Sequence, residues 1–347
     1  MSKTVRPTSL FIDANASCQL RCPTCPTTGN GYPPEVGSGY LKPENLRKLL
    51  TENPQIRSIE FENRGEMFLN PKFLDILKLT DELGVEVACN SGTNLNTVGE
   101  GVLEGLVKYK FRALLCSIDG ASQDVYQQYR RGGDFNRVIG HIREINRHKK
   151  AYRSPYPKLR WQFVVFGHNE HELPLARKMA EELDMEFLPK MSWDSAHSPI
   201  RDPEFVMKET GWPAATREGY QSVTGKNYMR TVCHSLWNHP HINWNGKILG
   251  CCWNSWGDFG DNVFAHGFVP AVNNEKINYA REMLLGKEPP RKDIPCTTCD
   301  LYKVMQGTER FLTEKEVRRK FTWRYRMARR IYHKVPGLSV LRRKLKI

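Results

Sequence analysis

The sequence predicts an α/β fold, an open barrel of six strand–helix units followed by a small cysteine-rich hairpin/helix domain. Three observations predict it. Strand-like and helix-like patterns alternate through the first 190 or so residues, a pattern that yields a parallel sheet. Residues suited to chemistry fall at the C-terminal ends of the predicted strands, where ligands bind in such sheets. Eight of the ten cysteines gather in two sets, one near the start and one after residue 232.

The candidate strands are Leu10–Asp13, Ser58–Phe61, Val85–Asn90, Ala113–Ile118, Arg160–Val165 and Glu186–Leu188. The helical stretches between and after them are Pro43–Thr51, Pro71–Leu83, Val102–Tyr109, Gln123–Tyr129, Phe135–Lys149 and His171–Leu183. Pro43 and Pro71 suit first turns, where the missing N–H costs nothing, and Gly84 suits the position just past a helix end. The expected organisation is a barrel over 1–192, a connector over 193–232, an auxiliary domain over 233–310 and a basic tail over 311–347.

The net charge of +14 is concentrated in the tail. Residues 315–347 hold thirteen Lys/Arg against one acid, Glu316, leaving only +2 for the rest. The basic character therefore says little about the substrate. The N-terminal MSKTVRPTSL lacks the apolar run of a signal peptide, and no apolar stretch is long enough to span a bilayer. Together with the cysteine usage, this leads us to expect a reducing cytoplasm and metal ligation rather than disulfides, with contact at the inner membrane face left open by the tail.

After the first strand, Cys18, Cys22 and Cys25 are spaced Cys-x3-Cys-x2-Cys in one loop. Three thiolates can hold three irons of a [4Fe–4S] cube and leave the fourth iron open for chemistry. A zinc site needs a fourth ligand, and no Cys or His follows closely behind Cys25. This spacing resembles the signature of the radical S-adenosylmethionine (SAM) enzymes. The resemblance implies a partial (β/α)6 radical SAM barrel, SAM bound at the open iron, and its cleavage to a 5′-deoxyadenosyl radical.

Further segments carry the same resemblance. Gly65-Glu66, after the second strand, is similar to the family's Gly-Gly-Glu segment, with Arg64 in place of the first Gly; it implies that Gly65 and Glu66 receive the SAM amino group. Cys89-Asn90-Ser91-Gly92-Thr93 is similar to a Thr-Asn-Gly-Thr segment, which brings in Asn90. Ser117-Ile118-Asp119-Gly120 and the Tyr126 to Phe135 run resemble radical SAM proteins with a C-terminal SPASM or twitch domain. By that resemblance Ser117 meets the SAM ribose or carboxylate, and Arg130 or Arg131 pairs with the carboxylate. The plainer readings are that Asp119 caps the next helix and that the arginines are solvated. Cys89 and Cys116, inside apolar strands, read as small core residues.

The second set comprises Cys233, Cys251, Cys252, Cys296 and Cys299. Trp244-Asn245-Gly246-Lys247 reads as a hairpin turn between Ile242 and Ile248-Leu249, drawing Cys233 and Cys251 together. The pattern resembles a twitch domain with one auxiliary [4Fe–4S] cluster on Cys233, Cys251, Cys296 and Cys299. Cys252 as ligand in place of Cys251, and zinc in place of iron, remain open. His234, His239 and His241 read as hairpin contacts or substrate hydrogen bonds; Trp237, Trp244, Trp253 and Trp256 read as packing around the cluster. The polar connector is expected to close the barrel mouth.

In the tail, Phe321, Tyr325, Ala328 and Tyr332 recur at helical spacing among arginines. Such a segment can dock on the barrel, lie on an anionic membrane or, least in keeping with the rest, bind nucleic acid.

The cysteine spacing is particularly similar to the twitch-type aminocyclitol dehydrogenase of butirosin biosynthesis. The expected activity is therefore oxidation or epimerisation of a carbohydrate- or cyclitol-like substrate. The second cluster would serve as electron relay, and a flavodoxin or ferredoxin as donor. Arg64 and Glu66 are the candidates for handling the alcohol proton. Modification of a ribosomally made peptide is one alternative; a non-enzymatic metal- or nucleic-acid-binding protein is the other.

Overall fold

Strand β1 (Ser9–Asp13) buries Leu10 and Ile12 completely and pairs in parallel with β2 (Ser58–Glu62), Leu10 opposite Ile59 and Ile12 opposite Phe61. In this computed structural model, which describes residues 4–28, 33, 35–62, 64–225 and 227–317, four more parallel strands follow. They are β3 (Glu86–Thr93), β4 (Ala113–Ser117), β5 (Lys158–Val165) and β6 (Glu186–Met191). All five residues of β4 are buried, as expected of a strand covered on both faces. The crossovers are α1 (Pro43–Glu52), α2 (Phe73–Glu82), α3 (Val102–Lys108), α4 (Gln123–Tyr129), α5 (Phe135–Ala151) and α6 (Leu173–Glu182).

Local sequence accounts for these helices. In α5, Phe135, Val138, Ile139, Ile142 and Ile145 form one buried stripe at helical spacing. The Asp134 side chain caps it by accepting from Arg137 N at 2.9 Å, and His148, Lys149 and Lys150 sit in the last turn, where cations meet the carbonyl end of the dipole. Pro43 opens α1, whose Leu46, Leu49 and Leu50 face the core.

The predicted hairpin is present: β7 (His241–Ile242) pairs antiparallel with β8 (Ile248–Gly250), and Gly246 takes the left-handed conformation the turn requires (φ 90°). It does not stand apart from the barrel. β7 pairs in parallel with β1, so one eight-stranded sheet runs β6-β5-β4-β3-β2-β1-β7-β8. His241 fixes the junction: its Nε2 lies 2.9 Å from Asp13 Oδ2, with both side chains buried.

The connector after β6 holds α7 (Pro203–Thr210) and α8 (Arg217–Thr224). Beyond it come α9 (Ser235–Asn238), α10 (Val263–His266), α11 (Phe268–Ala271), α12 (Glu275–Leu284), α13 (Asp300–Gly307) and α14 (Glu314–Val317). A continuous core joins barrel and C-terminal region, from Leu10 and Phe61 through Ile242 and Phe259 to Leu284 and Tyr302. Cys89 and Cys116 are fully buried members of it. Among the described residues, which include all ten cysteines, no disulfide forms and no helix is long and apolar enough to cross a membrane. The amphipathic stretch from Phe321 to Tyr332 lies outside the described residues.

Candidate active site

Cys18, Cys22 and Cys25 follow β1 and face a cavity of about 330 Å³ at the C-terminal ends of the parallel strands, open to solvent on one side. Gly65, Glu66, Ser117 and Arg130 line the same cavity. The loop after β2 lies directly against the start of the cysteine loop: Glu66 N donates to Ser17 O at 2.8 Å. A Cβ on Gly65 would stand 2.3 Å from that carbonyl oxygen, so the approach requires glycine.

Each thiol has its own surroundings. Cys18 accepts from Asn94 Nδ2 at 3.4 Å, and burial followed by the charge of Glu66 pushes it up to about 12. Cys22 is raised by burial, against the Arg130 guanidinium, whose Nη1 lies 3.7 Å from its sulfur. Burial also acts on Cys25, but hydrogen bonds from Thr27 Oγ1 (3.2 Å) and Thr28 N (3.5 Å) outweigh it and lower that thiol. Leu20, Tyr129, Val164 and Phe166 form an apolar wall against all three.

Glu66 is buried, its carboxylate accepting from the Thr93 hydroxyl and from Asn94 N at 2.6 Å. Burial pushes its carboxyl up to about 7, with those donors offsetting part of the effect. Arg130 Nε donates to the fully buried Asp119 at 2.6 Å, and Asp119 also accepts from Val164 N at 2.7 Å. Asp119 is thus not a helix cap; Ser122 caps α4. Ser117 Oγ accepts from Gln162 Nε2 at 3.1 Å at the end of β4.

Two expected residues lie elsewhere. Asn90 is exposed, its amide donating to Glu60 Oε2 at 2.7 Å and its carbonyl accepting from Arg160 at 2.6 Å. Asn90 shares its face of β3 with Gly92 but is tied to Glu60 and Arg160 lower on the sheet, and β3 reaches the cavity with Ser91, Gly92 and Thr93 across its irregular end instead. Arg131 is also exposed; only its carbonyl joins the site, accepting from Arg21 N at 3.0 Å. Arg64 lines the cavity but acts as a donor: its Nη2 reaches the carbonyls of Cys252 (2.8 Å), Cys251 (3.4 Å) and Asn254. A guanidinium so engaged cannot take up a proton.

Cys233, Cys251, Cys296 and Cys299 line a second, small cavity of about 20 Å³, walled by Leu236, Trp256, Phe259, Leu284 and Tyr302. Cys296 is raised well above its ordinary range by burial and then by the charges of Cys251, Cys233 and Cys299. Cys252 does not line this cavity; it and Cys251 lie in the turn that follows β8. Among the described residues, no three His, Cys, Asp or Glu close on a single metal ion. Trp253 lines both cavities and Trp256 the second, whereas Trp244 packs on Gly39 and donates to Val36 O.

Residues of β6 and of the connector complete the lining of the first cavity. Lys190, Met191, Trp193, Arg217, Tyr228 and Met229 line it, and Trp193 Nε1 donates to Thr24 O at 3.2 Å, resting on the cysteine loop. Their spacing in sequence carries no periodicity that would have singled them out.

No protein-family model matches the chain, and no curated protein matches it. Solved structures do. Streptococcus suis SuiB bound to the precursor peptide SuiA matches with a TM-score of 0.60 at 15% identity, covering 86% of this chain and 70% of that one. SuiB bound to S-adenosylmethionine matches with a TM-score of 0.58 at 16% identity, covering 86% and 72%. BtrN in complex with AdoMet and 2-DOIA reaches a TM-score of 0.47 at 15% identity, over 86% and 94% of the two chains. The SuiB matches establish a common fold.

Proposed function

We propose that the chain is a radical SAM enzyme with one auxiliary cluster, oxidising or epimerising a carbohydrate- or cyclitol-like substrate. The observation that carries this reading is the meeting of Cys18, Cys22 and Cys25 with Gly65, Glu66, Ser117 and Arg130 on one cavity at the strand ends. The fold shared with a protein bound to S-adenosylmethionine supports it.

The donor sets fit the groups. Cys18, Cys22 and Cys25 would hold three irons of a [4Fe–4S] cluster against the apolar wall, facing an open cavity; Cys233, Cys251, Cys296 and Cys299 would saturate a second. When bound, the first cluster and SAM supply a 5′-deoxyadenosyl radical that abstracts hydrogen, and the second supplies an electron acceptor. The protein's own residues orient and insulate this chemistry. Arg130 places positive charge beside the Cys22 sulfur and is itself held by Asp119. Thr27 and Thr28 stabilise the Cys25 thiolate. Glu66, fixed by Thr93 and Asn94, offers a carboxylate to the SAM ammonium, and Ser117 offers a hydroxyl. Arg64 and Trp253 bridge the two cysteine sets, and Trp193 is tied to the cysteine loop through the Thr24 carbonyl.

A peptide substrate is the second reading, favoured by the fold shared with SuiB, a protein bound to a precursor peptide. Anaerobic reconstitution with iron and sulfide, iron counting and a 5′-deoxyadenosine assay with SAM and dithionite test the proposal. About eight irons per chain are expected, with 5′-deoxyadenosine formed. Zinc in place of iron and intact SAM would overturn it.

A further inference from the structure

The first cavity is lined, among the described residues, by four basic side chains, Arg64, Arg130, Lys190 and Arg217, against a single acid, Glu66. Two of these cations have evident tasks. Arg64 donates to the carbonyls of Cys251, Cys252 and Asn254, and Arg130 pairs with Asp119 and faces Cys22. Lys190 shares the field of Asp119.

Arg217 is different. It opens α8 in the connector and lines the cavity from there. Its Nη2 donates to Met191 O at 3.2 Å and its guanidinium lies 4.9 Å from the centre of the Tyr228 ring. These contacts fix the plane of the fork without neutralising it. Its Nε is buried and has no hydrogen-bond partner among the described residues, and the neighbouring Glu218 is exposed. Burial lowers the guanidinium from its ordinary range, the mark of a cation lacking an adequate counter-charge. An unmatched donor of this kind is costly in a folded chain and is retained where a ligand completes it.

We propose that Arg217 is the specificity-determining residue that receives an anionic group, a carboxylate or phosphate, of the substrate. A planar guanidinium matches the paired oxygens of either group, and the partly desolvated setting strengthens the contact. Trp193 and Tyr228 beside it offer flat faces for the body of a sugar, a cyclitol or a side chain. The inference rests on the reading of this cavity as the active site and narrows its substrate to an anion.

The test is equilibrium dialysis of radiolabelled inorganic phosphate against the reconstituted full chain, as wild type, Arg217→Gln and Arg217→Lys, with and without saturating SAM. Wild type should bind phosphate at this site in the presence of SAM. Arg217→Gln should weaken that binding about tenfold or more, and Arg217→Lys should fall between. Competition by acetate separates a carboxylate-sized site from one that prefers phosphate. Phosphate bound by the basic tail is common to all three proteins and cancels in the comparison. Iron content and SAM affinity should be unchanged across the three. Equal phosphate binding by wild type and Arg217→Gln, or no binding at all, overturns the proposal. So does displacement of phosphate by SAM, which would assign Arg217 to the SAM carboxylate. If the chain holds no iron and leaves SAM intact, the enzymatic reading fails by itself, and the phosphate comparison without SAM still decides whether Arg217 is an anion site.

Discussion

Arg64, in the loop after β2, donates its Nη2 hydrogen to the carbonyl oxygen of Cys252 at 2.8 Å, across 188 residues of sequence. The same nitrogen reaches the carbonyls of Cys251 and Asn254. The loop that borders the first three cysteines therefore grips the backbone that carries the second set. Arg64→Ala removes a donor shared by three carbonyls, the bond to Asn254 O being buried, and should destabilise the fold by about 1–3 kcal/mol in denaturant titrations. In the active enzyme it should uncouple the two sites, with 5′-deoxyadenosine still formed but substrate oxidation reduced. Unchanged unfolding midpoints and unchanged coupling would show that the contact is incidental.

Iron stoichiometry separates the two cysteine sets. Serine at Cys18, Cys22 or Cys25 should reduce the count from about eight to about four and abolish SAM cleavage. Serine at Cys251 should also remove about four, whereas Cys252→Ser should keep all eight, because only Cys251 lines the second cavity. Loss of iron in Cys252→Ser would reverse that assignment.

Gly65→Ala tests how closely the β2 loop must approach the cysteine loop. Its Cβ would meet Ser17 O at 2.3 Å, so one backbone has to move. The expected result is loss of the first cluster with the second retained, read as about half the iron and no 5′-deoxyadenosine. Full occupancy would mean that the loop relaxes freely.

Glu66 gives the protein a pH signature. Burial raises its carboxyl from 4.5 to about 7, so the folded state binds this proton more tightly than the unfolded chain. The contribution to stability is fully present below about 4.5 and is lost as pH rises through about 7. It is worth roughly 3 kcal/mol at most. Stability measured from pH 5 to 8 should therefore shift in favour of Glu66→Gln relative to wild type as pH rises. SAM affinity should move the other way, rising with pH in wild type as the carboxylate ionises, and staying flat in Glu66→Gln. Parallel pH profiles for the two proteins would exclude Glu66 as the titrating group.

Asp13 and His241 hold the hairpin to the barrel edge. Removing one member of this buried pair leaves the other without its partner, so Asp13→Ala should cost about 3–5 kcal/mol. Asp13→Asn, which can still accept a hydrogen bond, should cost less. Thermal melts of the two variants provide the comparison.

Much of this protein was determined by the sequence itself. The alternation of apolar strands and amphipathic helices dictated the six parallel units, because a buried strand and a helix stripe each leave a periodic trace. The Cys-x3-Cys-x2-Cys loop and the Gly65-Glu66 segment stood out in the sequence because each is a short-range pattern, and the structure sets both on one cavity. The Trp244–Lys247 turn was legible because it needs a glycine with positive φ. The tertiary structure decided the rest. It attached β7 to the free edge of β1, kept Asn90 and Arg131 off the cavity, assigned Arg64 to the second cysteine set, and brought Arg217 and Tyr228 to the cavity. These outcomes depend on side-chain direction and on contacts between segments far apart in the chain, and neither leaves a local pattern in the order of residues.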